Sequence, residues 1–229
     1  MTELIEVSAD RERGVERPSL LRVVTPSDEL FEDWLLLRQN FMEERRWSSG
    51  YDRDAYDDDP ATIQLLNMQG DTIEAGLRLT PRSRIEDTMS WSWLPEELQM
   101  RAREVMSLEE GVVWDLTRLV PGHVSPERST ESLVELFGAG YALSHKVDKS
   151  PRWIFATTVP FYRYFSQQGI SFTPIVRGKF SERDKHDSIL CYTDPIQGTQ
   201  YLEQAEAHGM TLNAVHRGIE AAKELSGRN

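Results

Sequence analysis

The stretch Val112–Leu119, V-V-W-D-L-T-R-L, restricts the fold more than any other part of the chain. Its valines, leucines and Trp114 read as a buried strand. Asp115 and Arg118 interrupt it with two charges. A charge inside an apolar strand is costly unless it is paired, so each needs a partner or a task. The two are three residues apart, and in a regular strand they would face opposite sides of the sheet. A bulge, or a pair of strands that part from each other, would bring both to one cleft. The fold must therefore carry further charged groups to this strand.

The chain has 229 residues. That is enough for one domain spanning residues 1–229, with a loose N-terminus over 1–17 and a helical extension over 195–229. The formal net charge of -12 argues against a nucleic-acid partner, which calls for a basic stripe. No apolar run reaches the roughly 18 residues of a membrane helix, so no membrane partner is expected. Met1–Pro18 has no apolar core of a secretory signal, and the lone Cys191 cannot form an intrachain disulfide; a cytoplasmic location is the default. Cys191, in S-I-L-C-Y, reads as a buried strand residue. The five histidines are scattered without ligand spacing, and no metal site is expected.

Thr25-Pro26-Ser27-Asp28 is a helix start, and the helix runs to about Glu43. Its apolar stripe is Leu30, Phe31, Trp34, Leu35, Phe41 and Met42, with Arg38 on the same stripe. Two readings of Arg38 stay open: a side chain reaching out from the helix edge, or a buried arginine with a carboxylate partner. The carboxylates follow in Trp47–Asp59, W-S-S-G-Y-D-R-D-A-Y-D-D-D. Such acid density usually marks a solvated loop, but solvated loops rarely spend aromatics such as Trp47, Tyr51 and Tyr56. Thr62–Met68 and Thr72–Leu79 form a hairpin around Gln69-Gly70-Asp71. In its second strand Glu74, Gly76 and Arg78 share one face. Met89–Leu94 is a short alternating segment, and Pro95–Met106 an exposed helix. After the central strand come a helix capped by Ser129 and running to Val147, a strand over Arg152–Val159 and a short helix over Pro160–Gln168. Strands over Ser171–Val176 and Ser188–Thr193 follow, then helices near Pro195–Ala207 and Thr211–Ser226. The order gives an α/β or α+β domain on a mixed sheet.

The charged residues and their order resemble the acyl-homoserine-lactone synthases, the LuxI-type autoinducer synthases. That pattern has an arginine and a phenylalanine on the first helix (Arg38, Phe41), then a tryptophan (Trp47). A D-x-[FY]-D motif follows (Asp54-Ala55-Tyr56-Asp57), then a strand arginine (Arg78) and an acid-x-x-arginine on the central strand (Asp115, Arg118). The resemblance covers about Leu20–Phe180. Four features depart from it: Arg38 and Phe41 are three apart instead of four, the loop from Trp47 to Asp54 is shorter than usual, the acid is an aspartate where the family mostly has glutamate, and the helices after Asp194 have no counterpart in the pattern.

The resemblance implies a three-layer fold like that of the GCN5-type (GNAT) acyltransferases. In that fold a mixed, mostly antiparallel sheet is flanked by helices and its central strands splay. It implies transfer of an acyl group from an acyl thioester, on an acyl carrier protein or on acyl-CoA, to the amine of S-adenosylmethionine. Lactonisation follows and yields a quorum-sensing signal. S-adenosylmethionine is then a substrate, and no bound cofactor is implied. On this reading Asp115 is the expected base and Arg118 its catalytic neighbour. Asp54, Asp57 and Trp47 hold the cationic substrate, Arg38 closes the acidic loop, and Arg78 and Arg118 bind the donor or complete the ion pairs. Trp114, Phe137, Tyr141 and Phe155 are acyl-pocket candidates, each equally at home in an ordinary core. Two other functions stay open: a related N-acyltransferase using another amine such as an amino acid, and a non-catalytic ligand-binding domain on the same fold.

Overall fold

The computed structural model describes residues 5–6, 20–44, 53–106, 112–122, 125–148, 151–167, 172–181 and 186–193. The expected helices beyond residue 194, and Trp47, lie outside them. The elements are β1 (Ile5–Glu6), β2 (Leu20–Val24), α1 (Leu30–Glu44), β3 (Ile63–Gln69), β4 (Thr72–Arg82), α2 (Met89–Ser92), α3 (Glu96–Val105), β5 (Val113–Pro121), α4 (Pro126–Val147), β6 (Arg152–Thr158), α5 (Val159–Gln167), β7 (Thr173–Gly178) and β8 (Ser188–Thr193). The strands form a mixed sheet in the order β1-β2-β3-β4-β5-β6-β8-β7. β1–β2, β2–β3, β6–β8 and β7–β8 pair antiparallel, while β5–β6 is parallel. The chain forms two compact units. The first holds the described residues up to Arg78 together with Arg118–Val147. The second holds Leu79–Thr117 and the described residues from Asp148 on.

In the first unit, α1 buries Phe31, Trp34, Leu35 and Leu37 against Leu66 and Met68 of β3. The β3–β4 turn forms where expected, with Gly70 at φ 59, a conformation glycine adopts without penalty. Asn67, between Leu66 and Met68, points the other way and donates to Glu135 of α4. Helices thus cover both faces of this sheet. β4 departs from strict alternation. Gly76 meets Trp34 of α1, whereas Glu74, two residues earlier, accepts from Arg128 and Ser132 of α4. Ile73 packs on the α1 side as well, so the pleat slips between Ile73 and Gly76.

In the second unit, Ile85, Trp91, Leu94, Leu98 and Ala102 pack on Val113, Ile154, Val176 and Leu190. Phe155, the neighbour of Ile154, faces the opposite side. There Phe172 links it to Phe165 of α5, with ring centroids 4.5 and 6.1 Å apart. Met89–Leu94 is not extended: Met89–Ser92 is helical. Two groups outside the helix satisfy its first N–H donors. Thr88 Oγ1 accepts from Trp91 N, and the Asp115 carboxylate accepts from Met89 N and Ser90 N. α4 begins at Pro126, ahead of the expected Ser129, because Ser125 caps it and proline suits a first helical position.

β5 and β6 are in register only from Val113–Arg152 to Asp115–Ile154, although β5 runs to Pro121 and β6 to Thr158. Arg118, three residues past Val113–Asp115, has φ 54, the one non-glycine residue at positive φ among those described. No described helix is long and apolar enough to cross a membrane.

Candidate active site

The first unit assembles five of the charged residues singled out in the sequence. The D-A-Y-D segment closes on itself: Asp57 N donates to Asp54 O, Asp54 N to Asp57 Oδ2 and Tyr56 N to Asp54 Oδ1, all at 2.9–3.0 Å. The three-residue spacing is what lets each aspartate fix the turn and still offer oxygens outward. Arg38 grips Asp57 with both terminal nitrogens, Nη1–Oδ1 at 2.7 Å and Nη2–Oδ2 at 3.1 Å. Arg78 Nη1 lies 2.7 Å from both Asp57 Oδ1 and Asp54 Oδ1. Arg118 Nη2 donates to Asp54 Oδ2 at 3.1 Å. Every oxygen of the aspartate pair therefore holds at least one donor. Tyr56 lies over the Arg78 guanidinium, 5.4 Å from ring centroid to Cζ.

The network is graded from dry to wet. The side chains of Arg38, Arg78 and Asp57 are fully buried, whereas Asp54 is 22% and Arg118 12% exposed. Arg38 is thus the buried, paired arginine, not the one reaching into solvent. Burial would raise the Asp57 carboxyl, but the Arg38 hydrogen bond and the charges of Arg78 and Arg38 outweigh it and hold it below the usual carboxylate range. Burial would likewise ease the proton off Arg78; the Asp57 and Asp54 charges hold it on. The positive φ of Arg118 costs on the order of 1 kcal/mol in a non-glycine residue, and strain of this kind gathers at functional sites.

Asp115, in the second unit, is 1% exposed. It accepts from Met89 N at 2.6 Å, Ser90 Oγ at 2.6 Å and Ser90 N at 3.3 Å. Phe41 is part-exposed at the edge of the α1 cluster, and Met42 takes the buried place beside it. The acyl-pocket candidates are divided between the units. Phe137 and Tyr141 lie on α4 in the first, and Trp114 and Phe155 on β5 and β6 in the second. Trp114, Phe137 and Phe155 are buried. Burial raises the Tyr141 phenol, whose ring meets His145 edge-on. Cys191 is buried and its thiol is pushed up to about 12, a poor nucleophile. Among the described residues no group of His, Cys, Asp and Glu could hold a metal ion.

Several participants were not read from the sequence. Gln64 accepts from Trp34 Nε1 beside Arg38. Ser90 binds Asp115. Glu74, fully buried, takes Arg128 and Ser132 and forms a second charged cluster. For Glu74 the available signal was a charge inside an otherwise apolar strand.

No protein-family profile matches the sequence, and no curated protein matches it. Solved structures do. The CoA-dependent acyl-homoserine lactone synthase BjaI, with MTA, is similar at 20% identity over 86% of this chain and 88% of that one, with a TM-score of 0.55. FeeM, an N-acyl amino acid synthase from uncultured soil microbes, is similar at 12% identity, 82% and 97% coverage and TM-score 0.58. An acyl-CoA N-acyltransferase from Pseudomonas aeruginosa follows at 16% identity, 75% and 97% coverage and TM-score 0.50. The chain therefore has the α/β fold shared by acyl-homoserine lactone synthases and other N-acyltransferases.

Proposed function

We propose that this protein is an N-acyltransferase of the acyl-homoserine-lactone synthase type. It would transfer an acyl group from an acyl thioester, acyl-CoA or acyl carrier protein, to the amine of S-adenosylmethionine, with lactonisation. The observation that carries the reading is the meeting of Arg38, Asp57, Arg78, Asp54 and Arg118 in one network. These are five of the eight residues that the resemblance picks out, and they lie in a fold shared with such synthases.

The geometry revises how the acceptor would be held. Arginines and a turn N–H occupy both oxygens of the buried Asp57, so this aspartate is poorly placed to take a sulfonium cation. The half-open edge offers a guanidinium beside a carboxylate, Arg118 and Asp54. That pair complements the carboxylate and ammonium of an α-amino acid. Asp115 accepts three hydrogen bonds from the start of α2, which supports a role in holding that segment rather than in taking the amine's proton.

Incubation with S-adenosylmethionine and a panel of acyl-CoA and acyl-carrier donors, followed by mass spectrometry, tests the reading. An N-acyl-homoserine lactone together with methylthioadenosine is the expected outcome. The absence of any acylated product overturns it. The similarity to FeeM favours one second reading, in which the acceptor is a free amino acid. Acylated amino acid without methylthioadenosine would decide for that.

A further inference from the structure

We infer that Gln64 is a positioning residue of this site, acting through Arg38; the inference rests on the acyl-transfer reading. Gln64 stands on β3, is 1% exposed, and turns its side chain toward α1. Its Oε1 accepts from Trp34 Nε1 at 2.7 Å and lies 3.5 Å from Arg38 Nη1. The Trp34 ring centroid is 5.5 Å from the Arg38 Cζ. Trp34 is itself held tightly, because a Cβ on Gly76 would fall 2.5 Å from its ring. The Arg38 guanidinium is therefore confined by an aromatic face, the Gln64 carbonyl and the Asp57 carboxylate.

The identity of the side chain at 64 matters more than its volume. Gln64 Nε2 is buried with no hydrogen-bond partner among the described residues. A buried donor left without an acceptor is unfavourable, so stability alone does not account for an amide here. Glutamate would satisfy Trp34 equally well, but it would put a charged oxygen where that donor stands. It would also set another carboxylate beside Arg38 Nη1, in competition with Asp57. The neutral amide holds the indole and the arginine in place and leaves the charge of Arg38 to Asp57. Through Asp57, that choice reaches Arg78, Asp54 and the half-open Arg118.

The test compares Gln64→Glu with Gln64→Met, reading melting temperature, kcat and the acceptor KM. Gln64→Met strands the Trp34 N–H and lowers the melting temperature. Gln64→Glu, which buries a further charge, is expected to lower the melting temperature no more than Gln64→Met while raising the acceptor KM about tenfold, the scale of one disturbed hydrogen bond to a charged group. An acceptor KM within about twofold of wild type in Gln64→Glu overturns the inference. So does a KM that merely follows melting temperature across the two variants. The arginine side-chain resonances of Arg38, compared by NMR in wild type and Gln64→Glu without substrate, read the same displacement. Their failure to move overturns the inference too. A wild-type protein that acylates no amine overturns the acyl-transfer reading instead and leaves the NMR comparison to decide this one.

Discussion

Asp57 accepts from Arg38 and Arg78 inside the protein, and this fixes the sign of its pH response. Its carboxyl is held below the ordinary 3.8, so its contribution to stability is present above that value. The contribution is lost as the pH falls through the lower folded value. Asp57→Asn leaves two buried guanidiniums short of a countercharge and should cost about 3–5 kcal/mol. The melting-temperature gap between wild type and this variant should be widest above pH 5 and close as the pH drops below the carboxylate range. Asp54, 22% exposed, sits at the wet end. Asp54→Asn should lose less stability, with the larger effect on acceptor KM. Equal losses of stability in the two variants would mean a network that only braces the loop. The arginines and aspartates were legible as a set through the family resemblance, since Arg38 on an apolar stripe and aspartates interleaved with aromatics each left two readings open. Gln64 was not, because a glutamine in a strand carries no charge to account for.

At the scale of elements, β5 was legible as a buried strand from V-V-W-D-L-T-R-L alone, and its irregularity from the spacing of Asp115 and Arg118. Helix α2 was not. M-S-W-S-W-L alternates like a strand, and its helical state depends on a carboxylate about two dozen positions later, Asp115, reaching back to Met89 and Ser90. Short-range pattern cannot register a cap supplied from another strand. β4 fails for a related reason: its pleat slips where Glu74 and Gly76 meet different helices. The dependence of α2 on Asp115 leads to a prediction. Asp115→Asn keeps one acceptor oxygen but turns an amide N–H toward part of a cluster of donors, and should cost about 1–3 kcal/mol. Amide hydrogen exchange at Ser90 and Trp91 should quicken, and the fluorescence of buried Trp91 should shift to the red. Unchanged exchange there, with activity lost, would restore Asp115 as the base.

For the molecule as a whole, the net charge of -12 is carried by a surface whose acids repel one another. Residues 53–59 show the contrast in one short span. Arg53 pairs with Asp58 in solvent and lies over Phe31, while Asp57, one position from Asp58, is sealed against Arg38 and Arg78. Salt screens the first kind of interaction within a few ångströms and barely reaches the second. Exposed pairs such as Arg53–Asp58 and Arg177–Asp187 contribute little individually, so screening them gives up little. Relief of the general repulsion should then dominate. Raising sodium chloride from about 20 mM to about 500 mM should increase the melting temperature of wild type, because the Debye length shrinks from roughly 20 Å to a few ångströms. Asp57→Asn should gain by the same increment from its lower start, since the interaction it lacks is one that ions do not reach. A melting temperature that falls with salt in wild type but not in Asp57→Asn would mean that the buried network is open to solvent ions. The separation of a dry anchor from a wet edge would then fail.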